Sequence, residues 1–335
     1  MNWVGAQLVG LGNPDLTWQK TKEVNAGLEW GFWHDRIKGS FDWYHKTTSN
    51  LLSYMNLPLS SGFASYMANV GEVKNRGFEL SMSGYIIRNP QKHLNWIVSG
   101  QLVYNKNEIS RLSEAIKQQN EEYLKQEVDV SNLFFEGYPQ NSIYAVESLG
   151  IDPSTGEELF VDRNGNLTKT WSAGDKVFQG SADPLYRGNI GSTFIWNHLT
   201  VNLSFAYYWG GYAYNQTLID KVEVTKSTIQ DQNVDERVLS QRWFQPGDVT
   251  FFKGLSNEAT HATSRYVMKD NVFQLQSVGI QYRLDTDAVR KALRCNAVIL
   301  GLNASDLLYF SSIKRERGTT YPYSRNIQAS VKLSF

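Results

Sequence analysis

Strict alternation between apolar and polar residues is the feature that most constrains the fold of this chain. From Arg325 to Phe335, apolar side chains occupy every second position. Successive side chains of a β-strand point to opposite faces, so this period of two predicts a strand with one apolar and one polar face. The same alternation marks residues 24–32, 37–44, 78–86, 94–105, 190–196, 199–209, 273–282 and 296–302. The chain is predicted to be all-β and antiparallel, with about eight or more strands.

The connections between these segments alternate between short and long. Short ones lie near 34–36, 88–93, 197–198 and 284–294, and long ones near 51–72, 106–187, 213–270 and 306–324. An outer-membrane barrel has short periplasmic turns on one rim and long extracellular loops on the other, whereas a soluble sandwich does not sort its loops in this way. An even number of strands, about eight, also suits an antiparallel barrel. The pattern favours a segment of an outer-membrane β-barrel.

Aromatic residues gather toward the ends of the predicted strands. They make up 13% of the chain, and amphipathic rings suit the boundary between lipid and water at the rims of a barrel. The residues concerned are Trp30, Phe32, Trp33, Trp43, Tyr44, Trp96, Trp196, Tyr207, Tyr208 and Trp209. Polar residues of the opposite face are predicted to line a wet lumen. These are Asn25, Glu29, Lys38, Asp42, Glu79, Asn95, Gln101, Asn202 and Lys332.

Charge, hydropathy and cysteine content exclude other classes of protein. The chain has 33 basic and 33 acidic residues, so its charge does not favour nucleic acid as a partner. No apolar run approaches the roughly 18 residues of a spanning helix, and the mean hydropathy of −0.41 suits strands that are half apolar. Cys295 is the single cysteine, which excludes a disulfide framework and a cysteine-based zinc site. Residues 1–10 lack the basic and apolar regions of a signal peptide, so we expect none in this chain.

Three local features complete the secondary-structure prediction. The alternation slips near Ser277, which predicts a β-bulge. Residues 111–128 are predicted to form a short, solvated loop helix with an incomplete apolar face. That face consists of Ile116, Tyr123, Leu124 and Val128. Residues 286–293 are predicted to form one or two helical turns on the periplasmic side, and the strands within 106–187 stay unassigned.

Asp162, Asn164 and Asn166 suggest the one candidate metal site, for Ca²⁺. Oxygen ligands at alternate positions resemble the start of a calcium loop, but the bidentate Glu that an EF-hand needs is replaced by Ala173. An Asn-Gly hairpin turn explains the same residues and is the favoured interpretation, so we predict no cofactor. The five histidines lack metal-ligand spacing, and the adjacent carboxylates Glu157 and Glu158 point to opposite faces of an extended segment. No catalytic motif is present, so we predict no enzyme.

Several motifs, in order along the chain, resemble one family: the SusC/RagA-like TonB-dependent transporters of the outer membrane. The most specific match is Asn69–Glu79, which reads NVGEVKNRGFE and is close to the family's NVGEVRNRGIE. Residues 13–19 resemble the family's NPDLKWE, with Gln19 where the family usually has Glu. The other matches are Glu136–Pro139, Gly150–Gly156, Asp162–Gly165, Arg242–Asp248 and Tyr321–Arg325.

The resemblance implies that residues 1–335 are the C-terminal part of a TonB-dependent receptor barrel of about 22 strands. The plug domain and signal peptide are expected to lie outside the chain. It also implies the outer membrane of a Gram-negative bacterium, where the whole protein would import an oligosaccharide or a peptide beneath a SusD-like lipoprotein. TonB would act through the absent N-terminal part. Phe335 would be the signal that the barrel-assembly machinery reads on the C-terminal strand, and outer-membrane lipid would cover the wall.

In such a transporter, aromatic residues of the long loops are the best candidates for contact with ligand or lid. They are Tyr54, Phe63, Tyr66, Trp171, Trp243 and Phe244. Sugars stack on such rings, although each ring can equally pack its own loop against a neighbour. Two alternatives stay open. One is a secreted or surface β-sandwich that binds glycans without transport, and the other is an all-β hydrolase, which lacks a supporting set of residues.

Overall fold

A computed structural model of the chain describes residues 10–56, 62–63, 65–125, 133–314 and 324–335. Val128 of the predicted loop helix and residues 321–323 of the last matched motif lie outside these ranges. Among the helices of the described ranges, none has the length and apolar character needed to cross a bilayer. Strands dominate the structure.

The elements follow one another in this order. The first part holds β1 (Lys20–Phe32), β2 (Ile37–Asn56), β3 (Ser65–Asn89), β4 (Leu94–Leu112), α1 (Glu114–Tyr123), β5 (Ser142–Ile151), β6 (Glu158–Val161), β7 (Leu167–Thr168) and β8 (Lys176–Ser181). The second part holds β9 (Tyr186–Trp196), β10 (Leu199–Tyr214), α2 (Gln216–Lys221), α3 (Lys226–Asp231), α4 (Arg237–Ser240), β11 (Val267–Leu284), α5 (Asp287–Leu293), β12 (Ala297–Ser311) and β13 (Asn326–Ser334).

Nine strands form one antiparallel sheet in the order β1-β2-β3-β4-β9-β10-β11-β12-β13. All the strands predicted from alternation are present, and the count of about eight becomes nine. Short connections join β1 to β2, β3 to β4, β9 to β10 and β11 to β12, as predicted. In the described part of the chain, β1 and β13 each pair on one side only, so the wall is not closed here.

Strands β2, β3 and β4 run beyond their predicted ends. The connection predicted over 51–72 is mostly strand, because β2 continues to Asn56 and β3 begins at Ser65. Register shifts near Leu51 and between Glu72 and Val73 insert extra residues into these strands. Such bulges break the alternation, which is why a search for a period of two ends the strands too early. The bulge predicted near Ser277 is confirmed by a register shift there.

The two faces of the sheet differ in chemistry, and we call them the polar face and the apolar face. Residues paired directly across neighbouring strands share a face. The register therefore places all nine predicted lumen residues on the polar face. Large apolar side chains of the other face stay exposed, for example Val24 at 63% and Val331 at 69%. A β-sandwich would bury this face under a second sheet, so the sandwich alternative is wrong.

A row of aromatic rings crosses the apolar face. Trp43, Phe78, Tyr104, Tyr186 and Trp209 are paired in register across five neighbouring strands. Ring centroids lie 5.4 Å apart between Phe78 and Tyr104 and 5.2 Å apart between Tyr104 and Tyr186. On β3, β4, β9 and β10 the ring lies about ten residues from the short turn. Ten residues of a tilted strand span the ~25 Å apolar band of an outer-membrane barrel. The row has the position of an interfacial girdle.

Tyr44 and Tyr208 do not belong to this girdle, contrary to prediction. Tyr44 follows Trp43 and Tyr208 precedes Trp209, each by one position, so both tyrosines point to the polar face. The Tyr44 hydroxyl donates a hydrogen bond to Asn105 Oδ1 at 3.1 Å, and its ring lies over Gly77, where a Cβ would collide with it. Clustering near a strand end thus locates a ring along the strand but not its face.

The long connections contain ordered structure. Residues 106–187 include a four-stranded sheet in the order β7-β6-β5-β8, which the sequence left unassigned. Helix α1 is shorter than predicted, and it packs one face against the strands while its other face stays exposed. Its Ile116 is only 4% exposed and packs with Val73, Ile109 and Leu112. The long strand extensions, which the sequence missed, supply this packing surface. Helix α5 confirms the turns predicted over 286–293.

Candidate functional site

The polar face forms a continuous hydrogen-bonding surface. Asp42 is paired with Gly27 and Glu79, and Gln101 is paired with Ser81 and Asn189. A groove crosses this surface over β1 to β4 and β9, and it is lined chiefly by Glu29, Lys38, Ser40, Ser81, Ser83 and Gln101. Such a surface can bind water and polar groups of a ligand, and it offers both signs of charge.

The matched motif Asn69–Glu79 holds the extracellular end of the wall together. The Asn69 side chain accepts a hydrogen bond from Thr17 N at 2.8 Å and donates to Thr17 O and Asn50 O at 2.9 Å. Glu72 accepts hydrogen bonds from Ser110 Oγ at 2.7 Å and Ser49 Oγ at 2.8 Å. These bonds lower the pKa of the Glu72 carboxyl, the Ser110 bond most. The motif residues therefore have structural partners.

Two extracellular connections join into a single unit, which we call the loop body and define as residues 142–181 and 215–266. A parallel bridge pairs Val146 with Thr263. The indole Nε1 of Trp171 donates to Ala262 O at 3.2 Å, and its ring stacks on His261 at 4.5 Å. The residues that meet in these contacts are 90 or more positions apart in sequence, so the contacts are long-range.

Trp243 makes a second joint in the loop body. Its Nε1 donates to Pro153 O at 2.8 Å, and its ring covers Gly156 and Gly254. Gly156 has a φ of +74°, which favours glycine, and a Cβ there would collide with the indole. Trp243 thus packs its own segment against the turn at 152–156.

A buried charge network lies at the centre of the loop body. Arg265 Nη2 contacts Glu158 Oε2 and Glu223 Oε1, both at 2.7 Å, and Arg265 Nε donates to Glu158 Oε1 at 3.0 Å. The side chains are 4%, 6% and 0% exposed for Arg265, Glu158 and Glu223. Burial raises the pKa of Glu223, but the hydrogen bonds and charge of Arg265 outweigh it and hold that pKa below its usual value. The triad links β6 to the segments that follow α2 and precede β11.

Arg242 of the matched motif Arg242–Asp248 serves the same region. It is buried, and its guanidinium donates to the carbonyl oxygens of Val224 at 2.7 Å, Lys253 at 3.1 Å and Gly254 at 3.2 Å. Burial lowers the pKa of Arg242, because the carbonyl groups that it contacts carry no negative charge to compensate for the loss of water. Asp248 accepts hydrogen bonds from Phe244 N and Gln245 N at 3.0 and 2.9 Å, which closes the turn.

The six predicted ligand-contact residues do not converge on one place. Trp171 and Trp243 are joints of the loop body, as described above. Tyr66 packs against the cluster around Val73 and Ile109. Tyr54 and Phe244 keep exposed rings, at 69% and 59%, and Phe63 is half-buried. Ligand contact by these six residues stays a prediction.

The residues of the candidate calcium loop form a hairpin turn between β6 and β7. Asp162 Oδ1 accepts hydrogen bonds from Asn164 N and Asn166 N, both at 2.8 Å, and Asp162 Oδ2 accepts from Asn166 Nδ2 at 3.0 Å. These donors hold the carboxylate without a cation and lower its pKa. Gly165 has a φ of +83°, as the turn requires. The hairpin turn favoured by the sequence is present, and the absence of a cofactor, with calcium as the weaker alternative, stays a prediction.

The sequence missed Arg265, Glu158 and Glu223 because their partnership has no local signal. Glu158 and Arg265 are 107 positions apart, and no motif unites them. Alternation did separate Glu157, which pairs with Lys169 at 2.8 Å in solvent, from buried Glu158. In the ranges that the structure describes, no group of three or more His, Cys, Asp or Glu residues could hold a metal ion. Phe335 follows β13 and is 81% exposed, and its role as an assembly signal stays a prediction.

Comparisons with known proteins agree with this architecture. The model of the TonB dependent receptor-like, beta-barrel family matches residues 4–215, more than half of the chain. The TonB-dependent receptor P39 of Formosa agariphila is 24% identical, with 91% of this chain and 33% of the relative aligned. The TonB-dependent receptor SusC of Bacteroides thetaiotaomicron is 29% identical, with 81% of this chain and 26% of the relative aligned.

A solved structure of the RagAB peptide transporter resembles the chain in three dimensions. The TM-score is 0.79 at 26% identity, and the alignment covers 97% of this chain and 36% of that one. The chain spans about a quarter to a third of the length of the curated relatives it matches. These relatives are receptors and transporters, not enzymes. The chain belongs to the TonB-dependent receptor-like β-barrel family and lies in the outer membrane of a Gram-negative bacterium.

Proposed function

We propose that this chain supplies barrel wall and extracellular loops to an outer-membrane importer of the SusC/RagA type, which takes up an oligosaccharide or a peptide. The observation that carries the proposal is the combination of a polar lumen face with an ordered loop body above it. An ordered body over a polar passage suits the capture of a solute from outside. Similarity to SusC and to the RagAB peptide transporter supports the same function.

The partners that we propose follow from this function. A SusD-like lipoprotein would meet the extracellular loops, and exposed rings such as Tyr54 and Phe244 are proposed contacts for that lid or for the ligand. TonB would act through a plug domain outside the chain. Lipid would cover the apolar face, and the barrel-assembly machinery would engage β13 and Phe335. No cofactor is proposed.

Gene deletion in the native bacterium tests the proposal. The deletion strain should lose growth on one class of oligosaccharide or peptide, and the intact gene supplied on a plasmid should restore it. Collapse of the inner-membrane proton gradient should stop uptake in the restored strain, because TonB draws on that gradient. Uptake of a solute small enough for general porins is the control. Unchanged growth on all tested nutrients, or uptake that survives loss of the gradient, would contradict the proposal.

A further inference from the structure

We propose that a pocket at the extracellular rim of the polar face binds one apolar side chain of a peptide. The pocket lies between the ends of β2, β3 and β4 and helix α1, and we call it the rim pocket. Its walls include Leu51, Tyr54, Val73, Ile109, Ile116 and Phe134. The inference rests on the proposed import function and deepens it, since it selects a peptide over an oligosaccharide.

The position of the rim pocket places it beside the lumen. Val73 is paired with Thr48 and Ile109, two residues beyond the pair of Asn75 with Asn107. Side chains two positions apart on a strand share a face, so Val73 and Ile109 continue the rows of the polar face. The row changes there from asparagine to valine and isoleucine, and both apolar side chains are buried against α1. A solute that moves from the loops into the lumen would pass the mouth of the rim pocket.

The size of the rim pocket fits a single ring or branched side chain. Its volume is about 150 Å³, and an apolar cavity of about this volume is large enough for benzene. Val73, Ile109 and Ile116 are 6%, 3% and 4% exposed, so these walls are packed from behind. Tyr54, at 69% exposed, stands at the pocket with its ring available to a ligand.

The polar groups of the rim pocket disfavour a sugar. A sugar ring needs several hydrogen-bond partners, and the main carboxylate, Glu72, already accepts from Ser49 and Ser110. The side chain of Gln119 donates to the Tyr123 hydroxyl at 2.9 Å, so these two polar groups are already partners of each other. Arg111 lines the pocket and is exposed, which offers a cation for a peptide carboxylate. The lining suits an apolar group attached to a polar backbone.

Helix α1 is fixed in a way that keeps the rim pocket formed. Ser113 caps its N-terminus by accepting from Ile116 N. The side chain of buried Asn120 bonds both backbone groups of Phe134, accepting from Phe134 N at 3.2 Å and donating to Phe134 O. The pocket wall is therefore held by hydrogen bonds rather than by a side chain that fills the space.

Neighbouring glutamines of α1 provide a matched test. Gln119 lines the rim pocket, whereas Gln118 is exposed and does not. Gln119→Trp should fill the pocket, and Gln118→Trp adds the same ring to the solvent side. Binding of a labelled Phe-containing hexapeptide to the intact detergent-solubilised transporter, followed by fluorescence anisotropy, should weaken at least tenfold with Gln119→Trp and less than twofold with Gln118→Trp. The same peptide with Gly in place of Phe should bind weakly to the wild type.

A second variant keeps the inference testable if the tryptophan disturbs folding. Gln119→Ala enlarges the pocket and should raise the affinity for a Trp-containing peptide relative to the Phe-containing one. Equal effects of Gln119→Trp and Gln118→Trp on peptide binding would overturn the proposal that the rim pocket binds the peptide. Loss of oligosaccharide binding with Gln119→Trp would overturn the choice of a peptide as ligand and would leave the proposed import function intact. TonB-independent uptake would instead count against the import function itself.

Discussion

Replacement of Arg265 by methionine should release the two parts of the loop body from each other. Arg265→Met leaves Glu158 and Glu223 buried at 6% and 0% side-chain exposure without their cation. Loss of one partner from a buried ion pair costs about 3–5 kcal/mol, because the remaining charge stays uncompensated. Since 1.4 kcal/mol corresponds to a factor of ten, the open form of the loop body should become on the order of a hundredfold more populated, or more.

Limited proteolysis of intact cells measures this opening, because added protease reaches only the extracellular loops. The cleavage rate within residues 215–266 should rise with Arg265→Met while the amount of barrel in the membrane stays constant. Lys169→Met is the control, since Lys169 pairs with Glu157 in solvent, where an ion pair contributes less than about 1 kcal/mol. Removal of all three charges, in R265M/E158Q/E223Q, should recover more than half of the loss.

The pH dependence of cleavage gives the sign of the effect. In the wild type the pKa of Glu223 is held below its usual value, so its contribution is present at neutral pH and is lost as pH falls through that lowered pKa. In Arg265→Met the hydrogen bonds from Thr260 Oγ1 and Lys253 N to Glu223 remain, but the guanidinium that outweighs burial is gone. The pKa of Glu223 should therefore rise, so protonation on acidification relieves the penalty. Acid should therefore loosen the wild-type loop body and tighten the variant. The same pH slope in both proteins, or an unchanged cleavage rate, would refute the reasoning.

Two further predictions concern the barrel wall. Val331→Arg places a charge on the apolar face and should lower the unfolding free energy by about 2–4 kcal/mol if the site lies at mid-bilayer. Ser330→Arg on the polar face should lower it little. Urea unfolding from liposomes measures both variants. An equal cost at both positions would reverse the assignment of faces. Gly188→Ala should lower stability by about 1–3 kcal/mol, because the new methyl group would collide with the backbone carbonyl oxygen of Gln101 and with the Tyr207 hydroxyl. Gly100→Ala, where the nearest atom is 4.0 Å away, should be neutral in the same urea unfolding assay.

Much of the wall was predictable because a strand with one apolar and one polar face shows as alternation in the local sequence. The positions of Asn25, Asp42 and Asn202 on one face followed from alternation alone, and the register confirms them. The prediction of strands failed where the alternation is interrupted. Near Leu51 and Val73 a bulge shifts the phase, so strand was mistaken for loop. The motif residues, in turn, identified the family but not what their side chains contact.

The candidate site was less predictable, because its contacts join distant segments. Trp171 and Trp243 were singled out as loop rings for contact with ligand or lid, yet their indoles bond backbone carbonyl groups about 90 residues away. Composition gives no reason to choose between a ring that binds a ligand and a ring that packs a loop. The rim pocket is a similar case. It exists only because α1 packs on strand extensions that alternation did not detect.

The sequence by itself determined the chemistry of the wall, since period two assigns each side chain to lipid or lumen before any strand pairs. It also determined which rim carries short turns. Only the tertiary structure decided how the loops assemble, because the attraction between Glu158, Glu223 and Arg265 depends on burial and on a separation of 2.7 Å. The local sequence pattern predicts neither the burial of these three residues nor that distance, because the residues lie up to 107 positions apart.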